Sequence, residues 1–450
     1  MASLDVFLAA DRVGTLNFDP ATSAWSFGYD SGWVGREDGY SLSPALPRVP
    51  DPAVTAESHS QRVRKFFENL LPEGQALDDA AQFAKVSKSN AFGLLVALGR
   101  ETAGALRLVS AGGTVAASVQ PDRRPLSRAE VSERIRGRPQ LPFTVWDQRV
   151  RLSIAGYQDK LAVLEEDGEW SLVEGSTLAS THLVKPEPVS GDYAGLTTNE
   201  HWCMQFAQAL GLNVAPTRLE FIPEPVLVVE RFDRRRIVGP QGLTIERLHC
   251  FDGCQALDLP AAAKYERVFG SAEAVKNIRD GASLRLLFAL TREQATVPAR
   301  AQLELLRWSI LQVLIANLDA HAKNLSFFYG PGGLTLAPAY DLTCGLVYPK
   351  VEAELAMAIG DEFGPAAVQA FDWASLTLDC ALPETLVARE LARMSRTAMT
   401  HLPQVTDRVR KAGGDVATLD RVNQIVSAQA ERLANAAPDV VALVRDERKT

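Results

Sequence analysis

The run Asp319-Ala-His-Ala-Lys-Asn324, followed by Asp341, constrains this chain more than any other stretch. An Asp, an Asn five positions on and a later Asp form a layout that serves phosphoryl transfer. The first acid takes the proton of the attacking hydroxyl, while the Asn and the last Asp hold magnesium. Such a transfer asks for positioning and charge neutralisation more than for a strong base, so carboxylates and a metal carry most of it. Helix capping is the competing reading, because Asp319 and Asn324 flank the apolar run Trp308 to Leu318 and would also suit its end. Spacing alone does not choose between the two, and the flanking segments are needed.

Those segments run from strand-rich to helix-rich. Residues 4 to 35 alternate apolar and polar with short turn signals, as a small antiparallel sheet does. Residues 60 to 111 read as helical, with Val63, Phe66, Phe67 and Leu70 at helical spacing and a second apolar run from Ala91 to Leu98. Gln120 to Phe143, rich in Pro, Arg and Ser, reads as a linker with one short helix. Residues 148 to 233 suggest several strands and one helix. Val150 to Leu164 forms two strands around Gly156, Glu166-Asp167-Gly168 a hairpin turn, and Thr181 to Lys185 a strand stopped by Pro186. Asn199 to Leu210 is an amphipathic helix ended by Gly211, and Val226 to Val229 a buried central strand. From Cys254 onward helical periodicity dominates, interrupted from Tyr329 to Asp341 by Gly, Pro and a short strand. A mixed sheet lobe followed by a helical lobe is the order of a bilobal kinase.

Composition narrows the partners. At 450 residues the chain holds two or three domains, and a formal charge of −8 argues against a stand-alone nucleic-acid binder. The five cysteines are few, odd in number and scattered, which suits a reducing cytoplasm. His249, Cys250 and Cys254 lack the second ligand pair that a structural zinc site needs, and read as buried small side chains at a helix start. The first residues carry an acid where a secretory core would begin, and no apolar run is long enough for a bilayer.

Four further segments precede Asp319 in kinase order. Ser153-Ile-Ala-Gly-Tyr-Gln-Asp-Lys160 offers a glycine and backbone N–H groups able to cradle phosphates, although the same stretch also suits a plain turn. Lys185 ends an apolar strand, where a kinase places its phosphate lysine and where an edge lysine is also common. Glu200 opens the next helix, either as the partner of Lys185 or as an acid in a first helical turn. Glu230-Arg-Phe232-Asp follows the buried strand, as a hinge offering backbone to adenine or as a charged strand exit. Tyr340 flanks the base or packs in the core.

Taken together, these segments closely resemble the HipA family of serine/threonine kinase toxins from bacterial HipBA toxin–antitoxin modules. The residues that carry the resemblance are Ser153 to Lys160, Thr181-His-Leu-Val-Lys185, Val228-Val-Glu-Arg-Phe-Asp-Arg234, Asp252-Gly-Cys-Gln255, Lys264-Tyr-Glu266, Asp319 to Asn324 and Tyr340-Asp341. Phe66-Phe-Glu-Asn-Leu-Leu-Pro72 is similar to that family's N-terminal subdomain. The resemblance implies an α+β, bilobal protein-kinase-like fold with a small α/β N-terminal subdomain. The expected boundaries are residues 1–115 for the subdomain, 116–145 for a linker, and 146–450 for the kinase-like domain, with a sheet lobe to 233 and a helical lobe from 234.

The resemblance also implies site roles and partners. Asp319 is the catalytic base, and Asn324 and Asp341 bind Mg2+. Lys185 and the loop Ala155, Gly156, Tyr157, Gln158, Asp159 and Lys160 hold ATP phosphates, with His321 near the nucleotide. The backbone of Glu230 and Phe232 holds adenine, with Tyr340 against it. Ser153 is the autophosphorylated serine whose modification expels the loop. A small HipB-like helix-turn-helix antitoxin is the partner, in a heterotetramer that represses its operon and reaches operator DNA mainly through the antitoxin. The substrate is an aminoacyl-tRNA synthetase, whose phosphorylation arrests growth in the cytoplasm. Tyr157 and Asp159 stand where Ala and Glu are common in the family, Glu354 stands where Lys often does, and His249 to Asp252 lacks its usual Gln-Glu pair. These departures touch loop dynamics and substrate docking more than ATP chemistry. A catalytically silent antitoxin-binding co-repressor is the alternative, and a small-molecule kinase a third reading.

Overall fold

Alternation in Ala2–Leu8 places Leu4, Val6 and Leu8 on one buried face of the first sheet. The strand sits between Asp11–Asp19 and Leu106–Ser110, with Ala24–Tyr29 outermost, all antiparallel. The computed structural model describes residues 1–9, 11–99, 101–111, 122–147, 149–150, 158–175, 177–240 and 242–449. Its α+β chain divides into two units. One comprises Met1–Pro186, Glu220–Ala261 and Phe327–Gly333; the other comprises Glu187–Leu219, Ala262–Ser326 and Leu334–Thr450.

In the first unit, helices Ala56–Glu68, Gly74–Ala84 and Ala91–Leu98 follow the N-terminal strands. Thr55 caps the first of them by accepting the Ser58 N–H, and its Phe67 packs on Phe27 with ring centroids 5.6 Å apart. The helical expectation fails at Leu106–Ser110, which is a strand. Its register sets Leu108 opposite Val6 and Leu106 opposite Leu8, a long-range pairing that local periodicity cannot reveal.

A second sheet runs in the order Thr217–Phe221, Pro225–Glu230, His182–Pro186, Leu161–Glu166, Glu169–Glu174, Asp122–Leu126. Val226 to Val229 are all buried, in keeping with an interior strand. Asp167 and Gly168 both take positive φ, 52° and 79°, which suits the hairpin between Leu161–Glu166 and Glu169–Glu174. The linker expectation is corrected at Asp122–Leu126, an edge strand whose Leu126 pairs with Trp170; an edge tolerates Pro125. Helix Arg128–Gly137, capped by Ser127, supplies Val131 and Ile135 to a core with Phe143, Trp146, Trp170 and Val184. Arg234–Gly239 and Gly242–Arg247 form a hairpin.

In the second unit, helix Leu196–Ala209 starts three residues before Asn199, and Gly211 follows it at φ +85°. Its first N–H groups donate to the Glu187 carboxylate. Further helices span Leu284–Gln294, Pro298–Leu314, Ala370–Asp379, Glu384–Lys411, Val416–Ala436 and Val440–Glu447. Two stretches read as helical are instead mostly turns, 257–283 and 342–369. Side-chain bonds and backbone bonds between residues distant in sequence take over there from a helical ladder. The Glu266 N–H donates to the Ala356 carbonyl, and the buried Glu266 carboxylate accepts the Ala358 N–H and the Arg279 guanidinium. Glu200 lies in the second turn of its helix and is buried, so the first-turn reading does not hold.

Candidate active site

Helix Pro298–Leu314 ends at Ile315, four residues short of Asp319, and Ala316 turns the chain with φ +48°. Asp319 is therefore not a cap of that helix. Its Oδ1 accepts the Tyr265 hydroxyl at 2.6 Å, and His321 Nε2 lies 3.6 Å from the same oxygen. The Asn324 amide donates from Nδ2 to the Asp319 carbonyl at 2.8 Å, closing the loop on itself. That bond commits the nitrogen of Asn324, so its oxygen is the atom suited to a cation. His321, Lys323 and Asn324 are buried, whereas the Asp319 side chain is open to solvent.

Tyr340 braces this loop, donating its hydroxyl to the Lys323 carbonyl at 2.7 Å and sharing a hydrogen bond with Ser326 at 2.7 Å. Asp341, next in the chain, sits at φ +52°, an uncommon backbone for a residue other than Gly or Asn. Although the side chain reaches solvent, the protein packed around it partly desolvates the Asp319 carboxyl and raises it above the ordinary carboxylate range. The Tyr265 hydrogen bond and Lys264 oppose this, and the like charge of Asp341 adds to it.

The Asp341 carboxylate and the Asn324 amide oxygen are hard donors of the kind that magnesium takes. That ion takes one or two carboxylates and keeps waters and phosphate for the rest. Among the described residues no group of three or more His, Cys, Asp or Glu is placed to hold a metal.

The remaining expected residues lie in the first unit. Lys185 is buried in strand His182–Pro186, opposite Leu227, which distinguishes it from an exposed edge lysine. Lys160 is buried directly before strand Leu161–Glu166, with Gln158 and Asp159 half-buried ahead of it. Burial pushes the Asp159 carboxyl up, with Arg138 opposing and Asp79 adding. Ser153, Ala155, Gly156 and Tyr157 lie outside the described residues. Glu230 ends strand Pro225–Glu230, exposed, opposite His182. Phe232 packs edge-on against Phe328 at 5.8 Å.

Arg231 and Asp233, on either side of Phe232 in the chain, are buried. Asp233 is buried and accepts two bonds from Arg231, at 2.9 and 2.7 Å, one from Arg234 and one from the Gly104 N–H. Glu101 accepts from Ser180 and Arg247 beside them. Spacing marked neither the bonds of Gly104 and Glu101 in this cluster nor the role of Tyr265, since those residues meet Asp233, Arg247 and Asp319 across 54 to 146 residues.

The HipA N-terminal domain matches residues 4–109, and the HipA-like C-terminal domain matches residues 152–402, more than half of the chain. The Serine/threonine-protein kinase toxin HipA of Shewanella oneidensis is 38% identical over 395 residues, covering 88% of this chain and 87% of that protein. A solved complex of Shewanella oneidensis HipA, HipB and its operator DNA has a chain similar at TM-score 0.80 and 33% identity, covering 99% of both. The chain belongs to the HipA family of serine/threonine-protein kinase toxins.

Proposed function

We propose that this protein is an ATP- and Mg2+-dependent serine/threonine protein kinase with a bilobal kinase-like architecture, acting as the toxin of a toxin–antitoxin module. The observation that carries this reading is the Asp319 carboxylate, open to solvent and oriented by Tyr265, on a loop closed by Asn324 and followed by Asp341. Asp319 takes the proton of a Ser or Thr hydroxyl, and Asn324 and Asp341 hold Mg2+. The bound metal neutralises charge on the phosphate oxygens. Lys185 and the segment from Ala155 to Lys160 contact ATP phosphates, and the backbone of Glu230 and Phe232 receives adenine. Tyr340 acts by bracing the Asp319–Asn324 loop, and Ser153 is the regulatory phosphorylation site.

Similarity to a HipA chain seen with HipB and operator DNA supports a HipB-like helix-turn-helix partner and co-repression. An aminoacyl-tRNA synthetase is the proposed substrate, in the cytoplasm. No helix among the described residues is long and apolar enough to cross a membrane, and all five cysteines are free and buried. Incubating the purified protein and its Asp319→Asn variant with labelled ATP and a cell lysate tests the reading. A labelled protein band with wild type alone supports it. A labelled small molecule instead, or no label with either protein, overturns it in favour of a metabolite kinase or a silent co-repressor.

A further inference from the structure

The loop bearing Asp319 hangs from the end of helix Pro298–Leu314 by two buried amides. The Asn317 N–H donates to the Gln312 carbonyl at 2.8 Å, and the Asn317 Nδ2 donates to Gln312 Oε1 at 2.9 Å. Asn317 Oδ1 in turn accepts the Asp319 N–H at 3.1 Å. A backbone N–H can only donate, so it settles the orientation of both amides: oxygen of Asn317 towards Asp319, oxygen of Gln312 towards Asn317. Gln312 Nε2 is left over and buried, with no acceptor among the described residues, as is the neighbouring Trp308 Nε1.

Both side chains line a cavity of about 10 Å³, together with Ser309, Ala320, Leu355 and Met357. That is close to the space one water occupies, and a water needs polar partners of the kind the two N–H groups offer. Buried donors without partners are costly, which makes a dry void here unfavourable. We propose that this cavity is a water site whose oxygen accepts from Trp308 Nε1 and Gln312 Nε2. It anchors a relay in which Gln312 and Asn317 are positioning residues for Asp319. The positioning part rests on Asp319 being the catalytic base.

The experiment pairs kinetics with a crystal structure resolved well enough to show ordered water. Asn317→Ala and Gln312→Met release the Asp319 backbone, so kcat falls by roughly 10-fold or more, because small misplacements of a reacting group are that damaging. KM for ATP stays within about 2-fold, since the change is felt in the transition state alone. Asn317→Asp keeps an acceptor for the Asp319 N–H and recovers kcat at alkaline pH. Its acid limb moves upward, because a second negative charge disfavours ionised Asp319. A merely structural role lowers the melting temperature without that split or that pH shift. Should an alanine or methionine variant fail to fold, Asn317→Asp and the water density decide. A dry cavity in wild type overturns the water site. Unchanged kcat in the relay variants beside an inactive Asp319→Asn overturns the relay, while an active Asp319→Asn overturns the base assignment and with it the positioning claim.

Discussion

The Tyr265 hydroxyl donates to Asp319 Oδ1 at 2.6 Å, joining a residue of an irregular segment to the carboxylate that follows helix Pro298–Leu314. A hydrogen bond to the ionised form favours it, so Tyr265 holds the carboxyl lower than desolvation alone would set it. Tyr265 engages Oδ1 of Asp319, so Oδ2 is the atom suited to a substrate proton in the proposed role of Asp319 as base.

Tyr265→Phe removes that stabilisation of the charged form. The folded-state pKa of Asp319 then rises further above the ordinary carboxylate value, and less of the base is ionised at a given acidic pH. The acid limb of the kcat/KM profile moves to higher pH, with modest loss on the alkaline side of that limb. A pH profile of the variant that overlays wild type would show that the hydroxyl does not tune Asp319.

Asp341→Ala removes the carboxylate proposed as a hard-oxygen ligand and is expected to weaken Mg2+-dependent ATP binding. It also removes the like charge that raises the Asp319 carboxyl, so any residual activity has its acid limb at lower pH than wild type. Calorimetric titration with and without Mg2+ reads the first effect. Unchanged affinity with the metal present counts against Asp341 as a ligand.

Asp233→Ala leaves Arg231 and Arg234 buried without their shared acceptor. Removing one partner of a buried ion pair costs about 3–5 kcal/mol, far more than a surface pair contributes. Denaturant unfolding should show that loss. A change below about 1 kcal/mol would mean that water reaches the cluster.

Burial pushes the Glu101 carboxyl up, but Arg247, Arg234 and Arg231 outweigh it and bring the group down to about 2. A carboxyl depressed in the folded state contributes stability above its unfolded value, about 4.3, and that contribution is lost as pH falls through the folded value. Glu101→Gln is therefore expected to be less stable at neutral pH and to lose less than wild type between about pH 4.5 and 2. Parallel stability curves for the two proteins across that window would rule out this linkage.

The sequence by itself determined what is local. Asp319 and Asn324 stood out because they lie five residues apart and share one hydrogen-bonded loop, and the turn at Asp167-Gly168 was legible because turn chemistry acts over a few residues. The strand Val226–Val229 was legible because an apolar, β-branched run suits only a buried position. Tertiary structure alone decided the rest. Leu106–Ser110 looked helical until Val6 and Leu8 supplied its partners, and Asp122–Leu126 looked like a linker until Glu169–Glu174 did. Tyr265 reaches Asp319 across 54 residues, and Asp233 meets Gly104 across 129. Hydrogen bonds and ion pairs act over about 3 Å of space whatever the chain separation, so no sequence period records them.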